Sequence, residues 1–424
     1  MAQIEALIER LNAPTAEERL AALEQLKQEV PPPAPTGDVN NHIHTMYSFS
    51  PYSPTKAAYM AWSNGLTTAG IMDHDSVAGA EEFIRAGEIL GIATTVGFEC
   101  RCRMDNTPFA GKRINNPDQT SVAYLAAHGI PHQNIARAQE WLSPYRAKRN
   151  ERNRKMTANI NTLLAGTGVS LDFDRDIEPL SLNREGGSIT ERHILFALSR
   201  KLMAQIGTGA PLLAFLEQKL AITVTGKNRD LLAAADDGMY DYYLLGVLKG
   251  SMVEQFYVDA DAECPDVAEF IAFTKEIGAI SAYAYLGDVG DSVTGDKKAQ
   301  TFEDSYLDEL VPWLSQAGFS ALTYMPTRNT RPQLERVMAL CDAGTLFQIS
   351  GEDINSPFQS FRCAALQEDA FRHLIDSTWA LIGHERAATA NQQNGMFTAQ
   401  TIAALPTLPE RIRHFAQLAQ SAYR

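Results

Sequence analysis

Three short segments decide the predicted fold: Asn41-His42-Ile43-His44-Thr45, Ile71-Met72-Asp73-His74-Asp75 and Val96-Gly97-Phe98-Glu99. Each accompanies a short apolar or β-branched run, which is where an α/β protein keeps its chemistry. Residues i and i+2 of a strand point to the same face, so His42 and His44 can hold one cation while Ile43 packs behind them. The pattern therefore predicts a metal site in an α/β fold.

The second and third segments add an imidazole and several carboxylates. His74 lies between Asp73 and Asp75, and a carboxylate beside a ligand histidine commonly fixes its tautomer rather than binding the metal. Glu99 ends an apolar strand, where a carboxylate near several imidazoles suits a bridge between two metals. A single His-x-His or Asp-His pair is more often an ordinary polar group, because short motifs recur by chance. Three such motifs at successive strand ends favour the metal site.

These motifs, together with the run at 70–79, resemble the opening motifs of the PHP (polymerase and histidinol phosphatase) superfamily. More narrowly, residues 38–361 resemble its stand-alone metal-dependent phosphoesterases with a helical insertion. The resemblance implies a distorted (β/α)7 barrel of the PHP type with an inserted helical subdomain. It also implies two or three divalent ions at the strand C-termini, and a His/carboxylate set is compatible with Mn, Fe or Zn.

The resemblance implies further ligands. The segments at 123–129, 192–198 and 350–355 resemble those that supply His128, His193 and Asp353. The predicted metal ligands are His42, His44, His74, Glu99, His128, His193 and Asp353. One ion would use His42, His44, Glu99 and Asp353, and a second would use Glu99, His128 and His193. A third ion is left open, because Tyr283 and Asn355 stand where the family has histidines and the run at 46–53 lacks an acidic or imidazole residue.

A two-metal site of this kind predicts hydrolysis of a small phosphorylated molecule by an activated hydroxide. The predicted catalytic residues are Asp353 and His74 for proton transfer and Arg192 and Arg328 for the developing charge. Two alternatives stay open. The same metals could hydrolyse a non-phosphate ester or amide, or the changes at Tyr283 and Asn355 could mark a barrel that holds metal without turnover.

Composition sets limits on partners and location. The net charge of -14 argues against a phosphate-backbone binder, so no nucleic-acid partner is expected. The five cysteines lack a disulfide or zinc-finger spacing, and strand alternation puts Cys100 and Cys102 on the face opposite Glu99. No signal peptide or membrane-spanning run is evident, and a cytoplasmic protein without membrane association is expected.

The chain divides into five predicted parts. They are an N-terminal helical arm (1–36), a first barrel part (37–132), an inserted helical subdomain (133–257), a second barrel part (258–370) and C-terminal helices (371–424). The arm, with a Thr15/Glu18 capping box, is expected to serve docking or dimer contact, so an oligomer could form through it. Ser188-Ile189-Thr190-Glu191 predicts a second capping box, which would place His193 in a first helical turn.

Two further features each carry two interpretations. The basic helix around Arg149 and Arg152 is either a solvated face or a source of phosphate ligands. The Gly- and Asp-rich loop at 287–298 is either a surface loop or a lid that brings Lys297 or Lys298 to the substrate.

Overall fold

The computed structural model describes residues 2–234, 238–290 and 300–423, so the proposed lid residues Lys297 and Lys298 lie outside the described residues. The strands are β1 (Thr68–His74), β2 (Ala93–Arg103), β3 (Val122–His128), β4 (Ile280–Ala284), β5 (Ala321–Tyr324) and β6 (Phe347–Ser350). The first helices are α1 (Ala2–Arg10), α2 (Ala16–Glu29), α3 (Pro54–Ser63), α4 (Ala80–Leu90), α5 (Ile135–Leu163), α6 (Glu191–Ile206), α7 (Ala210–Leu220) and α8 (Gly226–Ala233). The others are α9 (Tyr240–Phe256), α10 (Val267–Glu276), α11 (Leu307–Ala317), α12 (Arg331–Gly344), α13 (His373–Ala390), α14 (Ala399–Ala404) and α15 (Leu408–Ala422).

The strands form one curled, half-barrel sheet in the order β1-β2-β3-β4-β5-β6 in a mixed α/β fold. β1 and β2 are parallel, and β4, β5 and β6 are parallel to one another. β3 is antiparallel to both of its neighbours. The chain reverses direction at β3 because the loop from β2 to β3 contains no crossover helix.

The first histidine motif forms an isolated bridge instead of the predicted strand. The Ile43 N–H donates to the Gly70 carbonyl at 3.0 Å, and the His44 N–H donates to the Ile354 carbonyl at 2.9 Å. Ile43 bridges β1 on one side and the chain that follows β6 on the other. The motif thus lies between the two edges of the curled sheet.

Strand register sorts the side chains onto two faces. Cross-strand partners share a face, so the pairs His74–Glu99 and Glu99–Ala126 put these three residues on the inner face. Cys100 and Cys102 lie on the outer face in the main apolar cluster, with their sulfur atoms 3.7 Å apart. The prediction that both cysteines are buried opposite Glu99 is confirmed.

α13 and α15 cover the inner face near the amino-terminal ends of β2 and β4. Ala380 and Leu381 pack against Ala126 and Ala282, and the Glu385 carboxylate accepts the Val96 N–H at 2.7 Å. The opposite end of the sheet, where β1 ends at His74, is left for the candidate site.

Two peripheral parts have definite packing partners. Residues 133–257 enter the chain between β3 and β4, and their described helices share a separate apolar cluster. The N-terminal arm forms α1, α2 and the predicted Thr15/Glu18 capping box. Its apolar residues join the main core, and Arg19 pairs with Glu82 of α4 at 2.5 Å. The arm to which docking or dimer contact was assigned therefore packs its apolar residues Leu7, Leu11, Leu23 and Leu26 against its own chain. Among the described helices, none is both long and apolar enough to cross a membrane.

Candidate metal centre

Three predicted ligands converge at the mouth of the sheet. His42 Nε2 lies 3.2 Å from His44 Nε2, and these nitrogens lie 3.5 and 3.3 Å from Glu99 Oε1. Within the described ranges, this is the one set of potential ligands whose donor atoms all lie within 4.8 Å of one another. A side chain at Gly351 would place its Cβ 2.7 Å from the His42 Cβ, so glycine permits this close approach. Buried imidazole and carboxylate donors in such proximity fit a divalent cation.

Two more predicted residues border this group. Asp353 Oδ1 lies 3.2 Å from His44 Nε2, and His74 Nδ1 lies 3.0 Å from Glu99 Oε1. His74 lies next to this group because its register partner on β2 is Glu99 itself. The site thus gathers residues from β1, β2, the motif between the sheet edges and the chain after β6.

The charge balance of the group also fits a cation. Burial by itself would lower the pKa of His44, but Asp353 and Glu99 reverse this effect and raise that pKa to about 10. Burial would raise the pKa of Asp353, yet contact with His44 and the nearby His42 lowers it overall. Two carboxylates against two imidazoles therefore stabilise positive charge at this point, whether a proton or a metal ion carries it.

A serine that the sequence reasoning overlooked orients His44. Ser48 Oγ donates to Asp73 Oδ1 at 2.6 Å and lies 3.2 Å from His44 Nδ1. Because the only hydroxyl proton goes to Asp73, Ser48 accepts the proton on Nδ1, so Nε2 is the nitrogen that a metal ion would bind. Asp73 thus acts on His44 through Ser48, whereas the sequence placed it beside His74. Ser48 lies in the run that was dismissed for lacking an acid or an imidazole.

His128 lies deeper than predicted. His128 is the last residue of β3 and pairs with Ile280 at the start of β4. Because β3 is antiparallel to β2, His128 lies two residues past Ala126, the partner of Glu99, toward the amino-terminal end of β2. Burial and the nearby His42 lower the pKa of His128 to about 3. Its Nε2 is buried and has no hydrogen-bond partner among the described residues. His128 therefore lies below Glu99 on the inner face and is not part of the His42, His44 and Glu99 group.

His193 takes a role in the helix cap. Its Nδ1 accepts the Thr190 backbone N–H at 3.0 Å, so the capping box joins Thr190 to His193 rather than Ser188 to Glu191. With Nδ1 occupied as an acceptor, the proton of the neutral ring sits on Nε2, which can then donate but not bind a metal. Burial, Arg149 and Arg192 lower the pKa of His193 to about 3, which keeps the ring neutral. The arrangement disagrees with the prediction that His193 is a metal ligand.

The basic helix α5 buries much of its charge. Arg149 pairs with Asp75, and Arg152 pairs with Glu191 and with Glu263 at 2.6 Å. Arg101, two residues after Glu99 on the inner face, contacts Glu191 at 3.0 Å. The solvated-face interpretation is wrong for Arg149 and Arg152, because the insertion packs this side of α5 against the sheet. These contacts form a buried ion cluster beside the candidate centre.

A cavity of about 140 Å³ lies between the sheet and the helical insertion. Its lining residues include His74 and Tyr124 from the sheet and Arg149, Arg192 and Lys249 from the insertion. Tyr124 pairs with Arg101 in the strand register, and its ring centroid lies 5.9 Å from that of His74. The sequence reasoning missed Tyr124, although it stands on the same face of β3 as His128, four residues earlier.

The remaining predicted residues have specific partners. Arg192, at the start of α6, donates to the Asn355 Oδ1 atom. Arg328 lies after β5, and its Nε donates to the Leu286 carbonyl at 3.2 Å. Tyr283 faces outward and donates to Glu303 Oε1 at 3.1 Å. Tyr283 therefore contributes to the core and does not stand in for a ligand at the mouth of the sheet.

Comparison with known proteins identifies the fold alone. No protein-family model and no curated protein matches the chain. A solved structure from Bifidobacterium adolescentis, named provisionally as a metal-dependent phosphoesterase, matches with a TM-score of 0.51 and 19% sequence identity. The match covers 82% of this chain and 98% of that one. An amidohydrolase structure from Chromobacterium violaceum, solved with sulfate and without metal, matches with a TM-score of 0.49 and 17% identity over 76% and 89% of the two chains.

Proposed function

We propose that this protein is a metal-dependent phosphoesterase that releases phosphate from a small phosphorylated molecule. The observation that carries the proposal is the convergence of His42, His44, Glu99 and Asp353 beside a cavity. The charged residues that line this cavity are Arg149, Arg192, Lys249, Asp118 and Glu191. Such donors suit a hydrolytic metal ion, and guanidinium and ammonium groups suit an anionic substrate. The structural likeness to the Bifidobacterium protein supports the fold on which the proposal rests.

We also propose that the fold is a distorted (β/α)7 barrel of the PHP type with an inserted helical subdomain. The segment at 40–44 would be the seventh strand, because its backbone is hydrogen-bonded to β1 on one side and to Ile354 on the other. The antiparallel β3 and the two isolated bridges at Ile43, in place of a full strand, would account for the distortion.

A divalent ion, for which Mn, Fe or Zn would serve, would be held by His42, His44, Glu99 and Asp353. When bound, such an ion lowers the pKa of a coordinated water and polarises a phosphoryl oxygen. A second ion would need Glu99 and His128 without His193, and a third would draw on His74. The number of ions is therefore part of the proposal and is decided by metal analysis of the purified protein.

The side chains of the chain itself would bind the substrate and move protons. His74 Nδ1 lies 3.0 Å from Glu99 Oε1, and His74 also lines the cavity, where it would pass a proton to a leaving group. Asp353 offers a half-buried carboxylate as a proton acceptor. Arg192 lines the cavity, and Arg328 lies at the carboxyl ends of β4 and β5. Both would stabilise charge that develops on the phosphoryl group.

The test is a panel of phosphomonoesters and small phosphodiesters, with Mn²⁺ added, against wild type and His42→Ala. Hydrolysis by wild type, and a loss of at least about a hundredfold in His42→Ala, would support the proposal. Turnover of esters or amides without phosphate, and of no phosphate ester, would favour the second hydrolase activity. Bound metal with no turnover of either panel would indicate a non-catalytic barrel. We further propose a small substrate over a nucleic acid, because the net charge is -14.

A further inference from the structure

Asn355 links the helical insertion to the candidate metal centre. Its Nδ2 donates to Asp353 Oδ1 at 2.6 Å, and its Oδ1 accepts from Arg192 Nη1. Asp353 Oδ1 in turn lies 3.2 Å from His44 Nε2. A continuous polar chain therefore runs from the first turn of α6 to a candidate ligand.

The chemistry of the partners determines the orientation of the Asn355 amide. A guanidinium can only donate, and an ionised carboxylate can only accept, so Oδ1 must face Arg192 and Nδ2 must face Asp353. If Arg192 did not hold Oδ1, the amide could rotate and place its oxygen against Asp353. Arg192 thus keeps the amide in the orientation that favours ionised Asp353 at this position.

Aromatic contacts also connect the insertion to the loops on either side of this series of hydrogen bonds. The Arg192 guanidinium lies 5.2 Å from the centroid of the Phe49 ring, in the loop that follows His44. Phe49 is buried in the apolar cluster of the insertion, with its centroid 5.6 Å from that of Phe196. Phe358, three residues after Asn355, stacks on Tyr243 of α9 at 5.0 Å. The insertion therefore contacts both loops that carry candidate ligands.

We propose that Asn355 and Arg192 are positioning residues that hold Asp353 against His44, so that docking of the helical insertion sets the metal affinity of the barrel. The proposal rests on the proposed function only in taking Asp353 as a ligand. It assigns a positioning role to Asn355, which stands where the resembling family has a histidine. Partners that orient a ligand are commonly worth ten- to a hundredfold in metal affinity.

The experiment is calorimetric titration with Mn²⁺ of wild type, Asn355→Leu, Arg192→Met, Arg192→Lys and the Asn355→Leu/Arg192→Met double variant. We expect each of the first two variants to weaken the tightest site about ten- to a hundredfold. Because both act through one chain, the double variant should be no weaker than Asn355→Leu alone. Arg192→Lys should retain part of the affinity, since an ammonium can still donate to Oδ1.

The matched control is Arg200→Met, an exposed arginine on the same helix, which should bind Mn²⁺ as wild type does. Circular dichroism and melting temperature check that each variant folds; if Arg192→Met does not fold, Arg192→Lys and Asn355→Leu decide the test. Wild-type affinity in Asn355→Leu, or multiplicative losses in the double variant, would overturn the proposal. Weakened Mn²⁺ binding in a protein that hydrolyses no phosphate ester would overturn the proposed function alone. A wild type that binds no Mn²⁺ would overturn both.

Discussion

Ser48 donates its hydroxyl proton to Asp73 at 2.6 Å, and this one hydrogen bond determines which nitrogen of His44 is available to a metal. The contact joins the loop after the first histidine motif to the end of β1. Asp73 also accepts the Thr45 backbone N–H at 2.7 Å, so the whole turn is anchored to one buried carboxylate. The orientation of His44 is therefore built from two residues that would not themselves bind the ion.

We expect Ser48→Ala to weaken Mn²⁺ binding by about tenfold or more, because the His44 ring loses the acceptor that fixes its tautomer. The measurement is the Mn²⁺ dissociation constant by calorimetric titration. Ser50→Ala, in the same loop, is the control and should leave the constant unchanged. Equal affinity in Ser48→Ala and wild type would show that the tautomer is set elsewhere.

His193→Ala should retain the metal content of wild type, because His193 uses Nδ1 to cap α6. We expect the substitution instead to lower the free energy of unfolding by about 1 kcal/mol, as for the loss of a helix cap. Elemental analysis and urea unfolding measure the two effects. Loss of about one ion per chain would instead restore His193 to the ligand set.

Arg149→Met should destabilise the fold by roughly 3–5 kcal/mol, because it leaves the Asp75 carboxylate buried and uncompensated. The double variant Arg149→Met/Asp75→Asn should recover part of that loss. Arg154→Met, on the same helix and in an exposed pair with Asp174, should lower the stability far less. Urea unfolding of the four proteins gives the comparison, and similar losses in both arginine variants would contradict the buried ion cluster.

Glu303 should make the protein less stable as pH rises. Burial raises the pKa of Glu303 to about 7, above its ordinary value of 4.5, so the folded protein holds this proton more tightly than the unfolded chain does. The protonated Glu303 therefore stabilises the fold fully below pH 4.5. This stabilisation, roughly 3 kcal/mol, is lost as the pH rises to about 7. Glu303→Gln should remove this component. Parallel stability curves for variant and wild type over this range would refute it.

His384 should act in the opposite direction. Its Nδ1 accepts the Met396 N–H at 2.9 Å, and burial lowers the pKa of His384 from 6.5 to about 4. The unfolded chain therefore takes up a proton first, and stability falls by roughly 3 kcal/mol as pH drops from 6.5 to about 4. We expect His384→Gln to be less stable than wild type at pH 7. Between pH 6.5 and 4 the variant should lose less stability than wild type, as measured by urea unfolding. His414→Gln, at an exposed position, is the control and should keep the wild-type slope.

Short-range patterns were enough to predict the capping box of the arm and the face of β2 on which Glu99 lies. The capping box at Thr15 and the alternation around Glu99 depend on neighbours within a few positions, so the local sequence predicts them. The His-x-His spacing indicated that His42 and His44 share a partner.

Strand direction and hydrogen-bond partners depended on segments far apart in the chain. The reversed direction of β3 moved His128 below the site, and no local pattern distinguishes a parallel from an antiparallel strand of this length. Burial of Arg149 required α5 to pack against the sheet, and the orientation of the Asn355 amide required an arginine from a helix more than a hundred residues away. The local sequence thus determined which ligand and hydrogen-bonding side chains were present. Long-range packing determined which of their atoms come into contact, because the orientation of an imidazole or an amide is set by the groups packed around it.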